Sequence, residues 1–309
     1  MILSIDFRTD IPAFYSEWIL NRFKEGFLYF RNPVANGTLH KVLLDKEHIE
    51  GIVWCSKDYS PILDRLYEIT DKFPSIFHYT ITPYDTDIEP TVPSASDSIK
   101  TLQILANIYG KEKVIWRYDP IFCNKQYDLA FHKEKYREMC ESLNGYVDRC
   151  VINFVSIYDK VKRHMPDLVD MTDIEKETLI KEFVKISKQN YIDLQMCGNG
   201  LKFRDIEGLK LTGCIDEEVL NRLGIYPKPK NKTTEWGCMC YPNTSIGEYN
   251  TCMHKCKYCY ASKDFDECTK NYIKHDSNSP LLVGWPTGNE KIIEMKPKTI
   301  NTNQLSLNF

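Results

Sequence analysis

The chain has 309 residues, of which 42% are hydrophobic and 27% charged, and a formal net charge of −3. That is room for one large α/β domain or two small ones with a sizeable core. The charge balance excludes a general attraction to phosphate backbones, and no window approaches the roughly 18–20 apolar residues of a membrane span.

The first residues, Met1–Arg8, lack a basic segment followed by a long apolar run, so no signal peptide is expected and the protein is expected to be cytoplasmic. Short β-branched runs then alternate with longer helical patterns, the mark of βα units on a parallel sheet. Leu3–Phe7 predicts a strand, and Pro12 opens a helix carrying Phe14, Trp18, Ile19 and Phe23 as far as Gly26. Phe27–Arg31 and Lys41–Leu44 flank a turn around Pro33 and Asn36-Gly37. Gly51–Cys55 reads as a strand, Pro61–Phe73 as a helix, and Ile76–Ile81 as a strand that ends at Thr82-Pro83.

Ile99, Leu102, Leu105 and Tyr109 line one face of a helix stopped by Gly110. Val114–Tyr118 is the strand that delivers Arg117 and Asp119 to its C-terminal end, and Leu129–Leu143 is the helix after it. Cys150–Val155 is a strand. Thr172-Asp-Ile-Glu175 is a capping box opening a helix with Leu179, Phe183 and Ile186 inward, and Tyr191–Met196 is a strand running into Cys197. Beyond it come a short helix at Asp216–Leu223 and a polar, Pro-interrupted linker from Tyr226 to Lys232. A short strand at Ser245–Asn250, a helix from Lys257 to Lys274 and an irregular tail from Pro286 complete the chain. The division this suggests is βα units over residues 1–200, a cysteine-rich segment over 201–285 completing the same body, and the tail 286–309.

Eight of the twelve cysteines lie between Cys197 and Cys268. In a reducing compartment such clustering points to metal ligation or catalysis rather than disulfides. The densest stretch is Cys252-Met-His-Lys-Cys256-Lys-Tyr-Cys259, whose soft thiolates select iron–sulfur clusters or zinc. A closed site wants four protein ligands and this loop offers three, which leaves one coordination position for something else. A structural zinc loop reads the same thiols differently, with Cys268 or His254 available as the fourth ligand.

This stretch, with the aromatic Tyr258 before the third cysteine, resembles the signature of the radical S-adenosylmethionine (SAM) superfamily. The resemblance implies a [4Fe–4S] cluster on Cys252, Cys256 and Cys259, SAM on the open iron, a 5′-deoxyadenosyl radical that takes hydrogen from substrate, and an external electron donor such as flavodoxin or ferredoxin. It also implies a partial or full (β/α) barrel of TIM-like type, with Tyr258 against the adenine. In that superfamily the cluster loop follows the first strand, whereas here it comes last. A circularly permuted barrel, with Ser245–Asn250 beside Leu3–Phe7, accounts for the difference.

The segments Arg8-Thr-Asp10-Ile-Pro-Ala, Trp116-Arg117-Tyr-Asp119-Pro, Cys214-Ile-Asp216 and Ile246-Gly-Glu-Tyr-Asn-Thr-Cys252 resemble a bacterial domain-of-unknown-function family labelled DNA-repair photolyase-like. That label rests on a cysteine loop similar to that of spore photoproduct lyase and says little about substrate.

Cys197, Cys214, Cys238 and Cys240 form a second candidate set, for an auxiliary Fe–S cluster, a zinc ion or no metal at all. Arg8 and Asp10 follow one strand and Arg117 and Asp119 another, where residues of (β/α) barrels surround the active site. Arg117, Asp119 and Asp10 are the catalytic candidates, Arg117 suiting a carboxylate, including that of the cofactor, and Asp10 or Asp119 ribose hydroxyls or substrate; Arg8 is read as a cofactor contact, and structural ion pairs are the competing reading. His78 and Thr80 share the same strand face. Cys55, Cys123, Cys140 and Cys150 are expected to be buried. The acidic balance and the lack of a basic, aromatic-interleaved stretch disfavour nucleic acid as the partner, leaving a small molecule or a modified peptide open.

Overall fold

The computed structural model of the protein describes residues 1–31, 37–197, 199–227 and 238–297. In chain order the strands are β1 (Ile2–Ile5), β2 (Phe27–Arg31), β3 (Thr38–Leu43), β4 (Gly51–Ser56), β5 (Ser75–Thr80), β6 (Val114–Ile121), β7 (Arg149–Phe154), β8 (Asp193–Met196), β9 (Leu209–Leu211), β10 (Thr244–Ser245) and β11 (Lys291–Glu294). Eight of them pair in the order β10-β1-β4-β5-β6-β7-β8-β9, every pairing parallel. Parallel strands covered on both faces read as continuous apolar runs rather than alternations. This is why Ile-Leu-Ser-Ile and Gly-Ile-Val-Trp-Cys-Ser are buried along their whole lengths.

On one face, Trp54, Phe77, Trp116 and Tyr118 pack under the helices Ala95–Tyr109, Leu129–Leu143 and Asp173–Gln189. Tyr136 stacks on Phe183 at 3.8 Å and on Trp116 at 5.2 Å between ring centroids. The capping box at Thr172 is formed as its residues require, with the Thr172 hydroxyl on the Glu175 N–H and the Glu175 carboxylate on the Thr172 N–H.

On the other face, Ile2, Val53, Ile76, Ile115 and Val151 meet Ile215, Val219 and Leu220. The short helix Glu217–Arg222 thus fills the face near the strands' N-terminal ends. Asp216 caps it through the Val219 N–H and takes the buried Arg149 guanidinium at 3.1 Å. The C-terminal ends of the same strands stay open.

Three expectations need correction. The sheet does not close into a full barrel: among the described residues no pairing joins β9 to β10, so the TIM-like ring is an open eight-stranded sheet. The tail from Pro286 is not irregular throughout, because β11 pairs in parallel with β3, itself antiparallel to β2. The cluster-loop helix begins at Phe265 rather than Lys257, where Asp264 caps the Asp266 and Glu267 N–H groups.

Lesser differences have local causes. Tyr15 leaves the helical region at φ −134°, splitting the first helix into Ile11–Phe14 and Ser16–Glu25. Pro61–Phe73 holds only a 3₁₀ turn and the helix Tyr67–Thr70. β9 escaped the sequence reading because three residues carry no usable period. The hairpin turn at Pro33–Asn36, most of the Tyr226–Lys232 linker and residues 298–309 of the tail lie outside the described residues. No helix among the described residues is long and apolar enough to cross a membrane.

The pairing expected between the pre-loop strand and the first strand is present in shortened form. Thr244–Ser245 lies beside Leu3–Ser4, and the chain from Ile246 to Asp264 is loop.

Candidate functional site

The C-terminal ends of β1, β4, β5, β6 and β7 and the loop after β10 enclose one cavity of about 420 Å³. Because side chains alternate along a strand, the residues at these ends on the open face point into it: Asp6, Cys55, Thr80, Arg117, Asp119 and Asn153. Cys252, Cys256 and Cys259 line the same cavity, together with Arg8, Asp10, Lys57, His254 and Tyr258.

Two carboxylates bolt the cysteine loop to the start of the chain. Asp6 accepts from the Ser245 hydroxyl at 2.6 Å, the Gly247 N–H at 2.7 Å and the Arg8 N–H at 2.6 Å. Gly247 is required by this approach, since a Cβ there would stand 2.5 Å from the Asp6 Oδ1. Asp10 accepts from the Ala13 N–H (3.1 Å), the Ser56 hydroxyl (2.6 Å) and the Lys57 N–H (2.7 Å), and pairs with His254 Nε2 at 2.9 Å. Its oxygens are thereby committed to the chain itself, which makes Asp10 an anchor of the loop.

Further ties fix the loop. The Tyr15 hydroxyl donates to the Thr251 carbonyl at 2.6 Å, Thr91 to the Met253 carbonyl at 3.0 Å, and Lys160 to the Cys259 carbonyl at 2.8 Å. Asn250, at φ 55°, closes the loop's neck by donating its N–H to the Ala261 carbonyl at 2.9 Å. Cys268 is fully buried on the helix Phe265–Ile273.

Arg117 is bonded through Nη2 to Asp119 and through Nη1 to the Cys214 sulfur at 3.0 Å. Arg8 donates to the Ser245 hydroxyl at 3.2 Å and carbonyl at 2.8 Å and lies over the Tyr249 ring. Tyr258 packs with Tyr84 and Phe122, and its hydroxyl donates to Glu89.

Glu89 and Lys57 are functional candidates that the sequence reading missed. Lys57 Nζ reaches Glu89 at 2.9 Å and Thr82 at 3.0 Å beneath the Tyr258 ring. Lys57 would have been found only from its place just beyond a predicted strand end. Glu89, in a Pro-rich loop, gave no signal.

Burial pushes the thiols of Cys252 and Cys256 well up, Asp10 adding to the rise at Cys252 and Glu89 at Cys256, where Lys57 opposes it. The bare thiols therefore hold their protons, and loading a thiophilic metal must expel them. The hydroxyl of Thr9, 6% exposed and lining the cavity, has no hydrogen-bond partner.

Of the second candidate set, Cys214 and Cys240 come together, the Cys214 N–H donating to the Cys240 sulfur at 3.1 Å; Cys197 and Cys240 both pack against the core of Ile2, Val53 and Ile215, and Cys238 is half-buried. Among the described residues no three His, Cys, Asp or Glu side chains are grouped to hold a single metal ion. His78, on the strand face expected of it, bonds the Cys214 carbonyl at 3.0 Å. Cys55, Cys123, Cys140 and Cys150 are buried as expected, although Cys55 also lines the cavity.

No curated protein matches the chain. A family model described as a domain of unknown function (DUF1848) matches residues 2–261, a span that runs from β1 to the end of the cysteine loop and takes in every strand end around the cavity. The chain therefore belongs to the DUF1848 family.

Proposed function

We propose that the protein is a radical SAM enzyme whose [4Fe–4S] cluster is held by Cys252, Cys256 and Cys259. The observation that carries this reading is the gathering of these three thiols, with cationic and acidic side chains, at one cavity over the C-terminal ends of five parallel strands. That is where (β/α) folds place their chemistry.

The donor set fits the group. Three soft thiolates suit iron–sulfur, and a cubane takes each thiolate on a separate iron, so the sulfurs need not converge on one point as zinc would demand. When bound, the cluster and SAM would supply a carbon-centred radical for hydrogen abstraction. The chain's own part is to place and shield. Asp10 and His254 hold the loop against β1 and β4, and Asp6 holds the segment before it. Lys57 sets a buried positive charge beside Cys256. Arg117 and Asp119 present a cation and an anion from β6 to a carboxylate and to hydroxyls, and Thr9 offers an uncommitted hydroxyl. Tyr258 forms part of the wall. The electron would come from a flavodoxin- or ferredoxin-type donor.

Anaerobic reconstitution with iron and sulfide tests the proposal. The expected outcome is a cubane whose EPR spectrum changes on adding SAM, with 5′-deoxyadenosine released on reduction and iron lost in C252A, C256A and C259A. A colourless protein carrying stoichiometric zinc would replace the proposal with a zinc-stabilised binding protein without redox chemistry.

A further inference from the structure

The turn at residues 85–91, beyond the end of β5, is fastened to the cysteine loop. The Lys257 N–H, next in sequence to Cys256, donates to the Ile88 carbonyl at 3.0 Å, and the Tyr258 hydroxyl donates to Glu89. Lys257 Nζ pairs with Asp87 at 2.9 Å, and the Thr91 hydroxyl donates to the Met253 carbonyl at 3.0 Å. Glu89 is 2% exposed, and the oxygen that meets Tyr258 also accepts from Lys57 Nζ at 2.9 Å and the Thr82 hydroxyl at 2.6 Å. Lys57 is held from its own end as well, because its N–H and the His254 ring bond the same Asp10 oxygen at 2.7 and 2.9 Å. Its ammonium lies 5.8 Å from the centre of the Tyr258 ring, and the residue lines the cavity with all three loop cysteines. A buried cation and a buried anion thus stand together against the loop at Cys256.

On the reading that a cluster sits on Cys252, Cys256 and Cys259, we propose that Lys57 and Glu89 are a matched charge pair that sets its reduction potential, the ammonium favouring the reduced cluster and the carboxylate the oxidised one. Reduction adds one negative charge to an iron–sulfur cluster, so net charge and solvent exposure around it govern the potential. Charges shielded from water are screened little, and both of these are shielded. Burial works against the Lys57 charge, but Glu89 outweighs it and holds the ammonium above its usual range. Both charges reach the loop: burial lifts the Cys256 thiol, Glu89 lifts it further and Lys57 pulls it back.

The electron comes from the external donor, no bond forms or breaks in the pair, and neither side chain gains or loses a proton. In the wild type the two charges offset one another at the cluster. Removing either one exposes the other, so the two single substitutions act with opposite sign. A pair that merely braced the loop has no such sign, because loosening from either side admits water and shifts the potential the same way.

The test reads the midpoint potential of the reconstituted full chain, without SAM, by EPR-monitored titration at about pH 9, which favours the ionised form of a stranded carboxylate. Expected is a potential above wild type in E89Q, below it in K57M, and back close to wild type in K57M/E89Q, at equal iron content. E89Q, which keeps the shape of the side chain, decides alone if K57M loads no iron. A potential unmoved in E89Q, or moved the same way in E89Q and K57M, overturns the proposal. A wild-type chain that assembles no cubane overturns the cluster reading and the charge pair with it. A SAM-responsive cubane whose potential ignores E89Q overturns the charge pair alone.

Discussion

Removing the Asp10 carboxylate should unfasten the cysteine loop before it touches any chemistry. Asp10 is 5% exposed and is partnered by the Ala13 N–H, the Ser56 hydroxyl, the Lys57 N–H and His254. In D10A all four lose their partner. The Lys57 N–H and the His254 ring, which share the Oδ2 oxygen, are left facing a void. An unmet buried polar group costs about 1–3 kcal/mol, so D10A should lose about 4 kcal/mol of unfolding free energy, near the upper end for a single substitution. D10N is the sharper case. Its oxygen still serves Ser56 and Ala13, and the His254 ring can change tautomer to accept from the amide, but the Lys57 N–H then meets an NH₂. One mismatch of about 1–3 kcal/mol remains. Urea unfolding of the metal-free chain measures both, and iron retention after reconstitution reports on the loop. If both variants unfold within about 1 kcal/mol of wild type, the carboxylate is not the anchor its contacts indicate.

Other outcomes follow from the same contacts. Burial keeps His78 neutral down to about 3 and His132 down to about 4, against an ordinary value near 6.5. Their contribution is complete above pH 6.5 and is lost as pH falls toward those values, so the pair should cost about 4 kcal/mol at pH 5 relative to pH 7; an unchanged urea midpoint refutes it. K57M strands the Glu89 carboxylate, 2% exposed, and should destabilise by about 3–5 kcal/mol, of which E89Q in the same chain restores a part; strictly additive effects in the double-mutant cycle would show that the pair is not coupled. G213A must push the backbone at Met239 and Cys240 aside, so it should lower the melting temperature and raise the alkylation rate of Cys240, whereas a melting curve that overlays wild type contradicts the close approach.

The βα order was legible because β4, β5, β6 and β7 are long, apolar and β-branched, and because the capping box at Thr172 is a local signal. What escaped was non-local. β11 has four exposed residues and exists only because β3 offers it an edge. Whether the sheet closes depends on the geometry between β9 and β10, which no residue pattern encodes. At the site the cysteines were visible from their spacing, and Arg117 and Asp119 from their place at a strand end. Glu89, Asp6 and the anchoring role of Asp10 were not, because a carboxylate reads alike in sequence whether it meets water or four donors.

The position of the cysteine loop at the far end of the chain is reconciled with its place over the strand ends by very few residues. β10 has only two residues and two register positions with β1, Leu3 with Thr244 and Ser4 with Ser245, too little ladder to hold a loop by itself. Register is fixed instead by side chains. The Ser4 hydroxyl bonds Asn243, Asp6 gathers the Ser245 hydroxyl and the Gly247 N–H, Arg8 returns to the Ser245 carbonyl, and the Tyr260 hydroxyl donates to the Phe7 carbonyl. Every one of these joins residues 4–8 to residues 243–260, and those to the Asp6 carboxylate and from the Arg8 guanidinium are charge-assisted, the stronger kind. A segment that begins more than two hundred residues after β1 is thus held as the neighbour of β1, and its cysteines meet Arg117, Asp119 and Lys57 across the cavity as a loop following a first strand would.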